Sequence, residues 1–177
     1  MTVSVVACGS TAEGWQNIPH DYSIGVNDAF KWAHKFNALL ICNHKSRFTT
    51  NRQQTILDTR PIKLYTHCES WLDDFPDHVK VKLRSYDGHL YTERLTTADT
   101  SPIIAMSLAY QIGAKTIIVH GADFVNHSTY SAHNPQTKEE LRKYRGYIEA
   151  LGRAGIQTYV SSKESALSEF TPVWTAK

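Results

Sequence analysis

Short runs of β-branched and other apolar residues recur along the chain and predict buried β-strands. Runs without a polar alternation, such as Leu39-Leu40-Ile41 and Ile117-Ile118-Val119, are typical of strands covered on both faces, as in parallel sheets. The predicted strands span residues 3–8, 22–26, 38–42, 63–66, 116–120 and 157–160.

Helical patterns lie between these strands. Residues 28–36 and 102–112 are two predicted helices, and residues 137–154, with apolar positions three or four apart, form the longest. The alternation of strands and helices predicts an α/β fold. We expect a single Rossmann-like domain over residues 1–177, with a mostly parallel sheet and helices on both of its faces.

Residues 73–100 are the least regular part of the chain, with polar and aromatic residues mixed. Asp87-Gly88 is a turn signal inside this stretch. We therefore expect an irregular insertion within the domain, or a small hairpin over residues 80–94.

Composition limits the kind of protein. A chain of 177 residues, 41% hydrophobic and with a net charge of +2, can bury one core and has no strongly basic signature for nucleic acid. The three cysteines, Cys8, Cys42 and Cys68, lack metal-ligand spacing and are expected to be reduced. Without a basic segment leading into a long apolar run, no signal peptide or membrane span is predicted, and the expected location is cytoplasmic.

Ligands of open parallel sheets bind outside the carboxyl ends of the strands. The first such position carries Gly9, Ser10 and Thr11, whose hydroxyls and amides can wrap a phosphate or ribose. The run has neither the dinucleotide-binding glycine spacing nor a P-loop lysine, so an ordinary strand-to-helix turn is the alternative.

Further polar residues follow later strands. Asn27 and Asn43 each offer a donor and an acceptor to a nucleotide, although Asn27 is also suited to cap the next helix. Thr100 and Ser101 open an apolar helix and form either an anion cradle or a simple cap. Asp123 can bind a ribose hydroxyl, polarise a histidine, or tie down its loop.

The loop over residues 125–135 is rich in titratable groups. His133 and His127 are candidate general bases near neutral pH, and Tyr130 is a candidate phosphate ligand. The alternative is that these are surface residues without a role. A metal site formed with Asp123 is disfavoured, because neither a helical His pair nor a second carboxylate accompanies them.

The ordered strand-end motifs resemble glycosyltransferase family 42, the bacterial sialyltransferases, and related Rossmann-like proteins of unknown function. That family has a G-N-G-P-S loop, two strands ending in asparagine, a T-S-G helix start and a strand ending G-I-D-F-Y. The corresponding segments here are Ala7-Cys8-Gly9-Ser10-Thr11, Gly25-Val26-Asn27, Ile41-Cys42-Asn43, Thr100-Ser101-Pro102 and Gly121-Ala122-Asp123-Phe124-Val125. Cys8, Pro102 and Val125 are departures from the family pattern.

The resemblance implies a nucleotide site. By analogy with the family, Gly9 and Thr11 line a CMP pocket, Asn27 and Asn43 contact the nucleotide-sugar, and Ser101 faces it. The implied donor is a CMP-sugar, and the acceptor is unknown.

The resemblance also implies a chemistry. Such enzymes invert the anomeric centre with a histidine base and need neither metal nor another cofactor. Tyr130 would bind the phosphate, and His133, or else His127, would be the base.

Two other functions remain open on the same scaffold. A pyrophosphokinase-like transferase would need Mg²⁺ held by carboxylates such as Asp28, Asp99 or Asp123. A non-catalytic nucleotide-binding or assembly module would bind ligand without turnover. Because the region after Tyr130 is shorter than in the family, a homo-oligomer that lends a covering segment is a further hypothesis.

Overall fold

A computed structural model describes residues 1–31, 35–59, 63–98, 100–124 and 135–175. The strands are β1 (Thr2–Val6), β2 (Tyr22–Val26), β3 (Ala38–Ile41), β4 (Leu64–Thr66), β5 (His78–Lys80), β6 (Leu83–Ser85), β7 (Leu95–Thr97), β8 (Thr116–His120) and β9 (Gln157–Val160). Seven of them form one sheet in the order β5-β4-β3-β2-β1-β8-β9. Every pairing in this sheet is parallel, which confirms the predicted α/β sheet.

Helices cover both faces of this sheet, as predicted. They are α1 (Thr50–Thr59), α2 (Ser101–Gln111) and α3 (Pro135–Arg153). On one face, α2 and α3 pack over Val3, Leu40 and Ile117. On the other, Ile56 of α1 packs with Leu39. No helix within these described ranges is long and apolar enough to cross a bilayer.

One helix prediction needs correction, and one helix was not predicted. In place of a helix over residues 28–36, the structure has a short 3₁₀ helix, Asn27–Lys31, and residues 32–34 lie outside the described part. Asn27, suggested as the cap of that helix, has φ of 49°, a left-handed conformation in place of the extended backbone typical of an N-cap. The sequence also failed to indicate α1, because Ile56 and Leu57 are its only large apolar residues and do not show a helical period.

The stretch 73–100 differs from the predicted hairpin. β5 joins the edge of the main sheet, whereas β6 and β7 form a separate pair. This pair is parallel, with Leu83 opposite Leu95, so the hairpin prediction is wrong. A hairpin pairs antiparallel strands; here the intervening residues carry the chain back to the end at which β6 began.

Beyond β9, a short segment continues the sheet. Val173 forms a parallel bridge with Val160. The Val160 amide donates to Pro172 O at 3.0 Å, and the Trp174 amide donates to Val160 O at 2.8 Å. Residues 172–174 therefore pair with the outer edge of β9 at its last residue, Val160.

Candidate functional site

The candidate site lies where the chain order of the strands reverses. β1 has β2 on one side and β8 on the other, so the chain turns to opposite sides of the sheet after β1 and after β8. Open α/β sheets bind their ligands at such a switch point, in a crevice at the carboxyl ends of the strands. α2 precedes β8 and runs antiparallel to it, which brings the amino end of α2 to this same edge. The sequence-predicted residues divide into three groups along it.

Asp123 and Thr11 form the first group and hold the two loops together. Asp123 is only 4% exposed, and its Oδ2 accepts a hydrogen bond from the Thr11 amide at 2.9 Å. Its Oδ1 accepts a second bond from the Thr11 hydroxyl, and Thr11 Oγ1 in turn accepts from the Gly121 amide at 3.2 Å. The tie-down role weighed for Asp123 is the one that these contacts show.

Gly9 is required by the same close approach. Its amide donates to Gly121 O at 2.8 Å. A Cβ atom at Gly9 would lie 2.3 Å from Asp123 Oδ2 and 2.5 Å from Gly121 O. The Thr11 amide and hydroxyl are used internally, whereas Ser10 is exposed in a 3₁₀ helix, Ser10–Ala12.

Asn27 and Ser101 form the second group and join β2 to α2. Asn27 Nδ2 donates to Ser101 Oγ at 3.1 Å across 74 residues of sequence. Its Oδ1 is buried and has no hydrogen-bond partner among the described residues. Buried polar atoms are nearly always paired, so this oxygen calls for a partner beyond the described residues, such as a ligand.

The start of α2 is also incompletely paired. Thr100 occupies the N-cap position, but its side chain makes no capping hydrogen bond. Its Oγ1 is buried, and within the described ranges it too lacks a partner. The predicted alternative of a capping role for Thr100 is therefore not observed, and the first amides of α2 keep no side-chain acceptor from it.

Asn43 stands apart from the other two groups. Its side chain is exposed at the end of β3, and its backbone carbonyl accepts from Trp71 Nε1 at 2.9 Å. The neighbouring Cys42 thiol is buried, which together with the nearby Cys68 raises its pKa to about 12. Asn43 thus lies at the rim, beside a thiol that stays protonated.

The three residues predicted for catalysis, His127, Tyr130 and His133, lie outside the described residues, as does Asp99. His120, which ends β8, is described and is fully buried beneath the crevice. Burial, aided by the charge of His20, lowers its pKa to about 3, and its Nε2 lies 3.1 Å from Ser4 Oγ. His120 is therefore a neutral residue of the sheet.

Sequence reasoning missed two buried polar residues in the first turns of α3. Glu140 is 5% exposed; its Oε1 accepts from Lys143 Nζ at 3.2 Å, while its Oε2 has no partner in the described part of the chain. Thr137 Oγ1 is buried and similarly without one. A signal was present, because Glu140 falls on the helical repeat of the buried residues Tyr144 and Tyr147.

A cavity lies elsewhere, against the other face of the sheet. It has a volume of about 550 Å³ and lies against α1, lined by Gln54, Leu57, Asp58, Asp74, Phe75, Pro76 and Asp77. Its three carboxylates repel phosphate. Asp77 precedes β5 and Asp58 lies near the end of α1, so the cavity opens toward the amino ends of the strands, away from the crevice.

Comparison with known proteins identifies the fold. No protein-family model and no curated protein matches the sequence. An α-2,3-sialyltransferase from Campylobacter jejuni in apo form aligns with a TM-score of 0.61 and 13% identity, over 98% of this chain and 80% of that chain.

Two further sialyltransferase structures agree with this alignment. CstII from Campylobacter jejuni with the substrate analogue CMP-3FNeuAc aligns with a TM-score of 0.59 and 14% identity, over 97% of this chain and 84% of that chain. CST-II with a trisaccharide acceptor and CMP aligns with a TM-score of 0.59 and 17% identity, over 98% and 86%. The chain has the fold of the Campylobacter sialyltransferases.

Proposed function

We propose that the protein is a glycosyltransferase that transfers a sugar from a nucleotide donor, a CMP-sugar, with inversion and without a metal ion. The observation that supports it best is a pair of buried oxygens beside the start of α2, Asn27 Oδ1 and Thr100 Oγ1, which have no partner among the described residues. An amide oxygen and a hydroxyl accept hydrogen bonds from the amino and hydroxyl groups of a nucleoside.

The nucleoside phosphate is the leaving group of this reaction. The amino end of a helix attracts anions through its free amides and its dipole. In α2 the Thr100 side chain leaves those amides uncapped, and the Asn27–Ser101 hydrogen bond fixes the position of Ser101 beside them. We assign Ser101 and this helix end to stabilising the negative charge that develops as CMP departs.

The remaining roles follow the family resemblance. Tyr130 binds the phosphate, and His133, or else His127, takes the proton from the acceptor hydroxyl. A single displacement on a sugar inverts its anomeric centre. Gly9, Thr11 and Asp123 contribute by holding the floor of the crevice rigid, and Ser10 and Asn43 contact the donor from its rim.

Binding of CMP tests the donor site. We expect CMP to raise the melting temperature of the wild type equally with Mg²⁺ and with EDTA, because a ligand of the native state stabilises it by mass action. Ser101→Ala and Asn27→Asp should reduce this shift. Asp tolerates the left-handed backbone at position 27 as Asn does. The control is Gln157→Glu, which makes the same change of charge at the amino end of β9, away from the crevice.

Release of CMP from CMP-sialic acid, followed by NMR of the product anomer, tests the reaction. An axial-to-equatorial change at the anomeric carbon supports the proposal. A nucleotide-induced rise in melting temperature that requires Mg²⁺ would point to a pyrophosphokinase-like transferase. Nucleotide binding without turnover would point to a non-catalytic module. Absence of a shift with any nucleotide would refute the donor site.

A further inference from the structure

A second groove lies between α3 and the 3₁₀ helix Ala166–Glu169, and we call it the basic groove. It has a volume of about 220 Å³ and is lined by Lys138, Leu141, Arg142, Arg145, Glu169 and Phe170. Leu141 and Arg142 lie three and four positions after Lys138, and Arg145 follows them by four and three positions, so the four residues share one face of the helix. This volume is below the roughly 300–1,000 Å³ of pockets that hold drug-sized ligands, so it suits one sugar or one charged group.

The basic groove adjoins the strand-end crevice. Ser165 and Ala166 lead into its 3₁₀ helix, and both are bonded to the loop after β8. The Ala166 amide donates to Asp123 O at 3.0 Å, and Ser165 Oγ donates to Ala122 O at 3.1 Å. Because α3 precedes β9 and runs antiparallel to it, the amino end of α3 also lies at the carboxyl edge of the sheet.

Cations predominate in the basic groove. Arg142 is engaged by Glu139, with its Nε and Nη2 at 2.8 and 2.7 Å from the two carboxylate oxygens. Among the described residues, Lys138 and Arg145 form no ion pair. Glu169 is the one carboxylate that lines the groove.

Arg145 is held in place by an aromatic ring. Its guanidinium carbon lies 5.0 Å from the centre of the Phe170 ring. Stacking of this kind fixes the planar group while leaving its N–H donors free at the edge, which suits recognition of a carboxylate, phosphate or sulfate.

We infer that the basic groove binds the anionic group of a charged saccharide acceptor. Lys138 and Arg145 hold a carboxylate, phosphate or sulfate carried by the acceptor, whose reacting hydroxyl then reaches the neighbouring crevice. This inference rests on the proposed glycosyltransferase function, since it assigns the second substrate of that reaction.

Titration calorimetry with three matched saccharides tests it: neutral lactose, sialyllactose and lactose sulfate. We expect the charged saccharides to bind the wild type about tenfold more tightly than lactose, as two partly exposed ion pairs allow. Their advantage should shrink with added salt. The carboxylate and sulfate arms show which anion is preferred.

Two sets of substitutions test whether the preference for charged saccharides comes from the basic groove. Lys138→Gln combined with Arg145→Gln should abolish the preference for the charged saccharides, while Lys115→Gln, which removes a cation at the opposite edge of the sheet, should preserve it. Equal binding of lactose and both charged saccharides would overturn the inference, and so would an equal loss in Lys115→Gln.

The CMP-induced shift in melting temperature, measured on the same variants, separates the two proposals. A normal shift in the double variant, together with loss of the preference, supports an acceptor-side groove. A normal CMP shift in a wild type that shows no charge preference refutes the groove alone. A wild type that binds the charged saccharides but no nucleotide refutes the donor site instead.

Discussion

At the residue scale, Asp123 fixes the floor of the candidate site before any ligand arrives. Its carboxylate bonds twice to Thr11, which is 112 residues away in sequence. Ser161 Oγ adds a bond to Thr11 O at 3.1 Å. Sites held in this way lose little conformational entropy on binding, because their loops are already ordered.

Gly9 allows a test of this close approach. Gly9→Ala should lower the free energy of unfolding by about 1–3 kcal/mol, the usual cost of overpacking, because one of the atoms it meets, Gly121 O, belongs to the backbone. Urea denaturation measures the change.

Gly152→Ala is the matched control. Gly152 lies inside α3, with no atom within 4 Å of an added Cβ, so the helix should gain up to about 1 kcal/mol. If Gly9→Ala were as stable as the wild type, the two loops would not be held as tightly as Asp123 and Thr11 indicate.

At the scale of elements, the β6–β7 pair is joined to α3 through Tyr86. Tyr86, which follows β6, donates its hydroxyl to Gly146 O at 2.7 Å, and its ring meets that of Tyr147 edge to face at 5.4 Å. Burial raises the pKa of Tyr86, so this donor keeps its proton at neutral pH. One side chain thus fastens the 73–100 stretch to the longest helix.

Removing that hydroxyl isolates its contribution. Tyr86→Phe should cost about 0.5–1.5 kcal/mol of unfolding free energy, the net value of a typical hydrogen bond. Tyr91→Phe is the comparison, because the Tyr91 hydroxyl bonds to the exposed Asp87 and should matter little. Equal effects in thermal denaturation would show that Tyr86 is not a special anchor.

The sequence predicts the strands of this fold better than its connections. Three predicted strands, 22–26, 116–120 and 157–160, coincide with β2, β8 and β9, because each is rich in the β-branched and aromatic residues that suit strands. The polar helix α1 has no helical period of apolar residues, so the sequence did not indicate it. The direction of β7 relative to β6 depends on the path of the connecting chain, which local turn signals do not encode.

The candidate site shows a similar division. Polar residues after the strands and at the start of α2 were expected to meet at one edge of the sheet. Asn27 and Ser101 do so, because they are joined by a hydrogen bond. The sequence did not show that the Thr11 amide and hydroxyl donate their hydrogen bonds to Asp123, because that contact depends on how closely two loops approach in space. Nor did the sequence analysis identify Glu140. This carboxylate occupies a position of α3 at which the helical repeat of buried residues predicts an apolar side chain.

At the scale of the whole molecule, the sheet depends on His120 remaining neutral. Its pKa of about 3 in the native state lies below the ordinary value of 6.5, which the unfolded chain retains. Between these values the unfolded chain binds a proton that the native state excludes. The stability contribution is therefore present above pH 6.5 and is lost progressively as the pH falls toward 3.

Urea denaturation from pH 7.5 to pH 4.5 measures this effect. Below pH 6.5, one excluded proton contributes a slope of about 1.4 kcal/mol per pH unit to the free energy of unfolding. His120→Asn, which cannot titrate, should show a slope that is smaller by that amount, whatever its absolute stability. Parallel curves for the two proteins would mean that His120 is protonated in the native state.

The pairing of residues 172–174 with the end of β9 affects how readily the protein aggregates in concentrated solution. An open strand offers a row of unpaired amides and carbonyls on which another copy can grow a continuous cross-molecular sheet. At β9, residues 172–174 occupy the amide and carbonyl of Val160, its last residue. The opposite margin of the sheet, β5, is three residues long and carries the exposed cation Lys80. Each margin thus offers only a short row of open groups to the templated growth that begins amyloid formation.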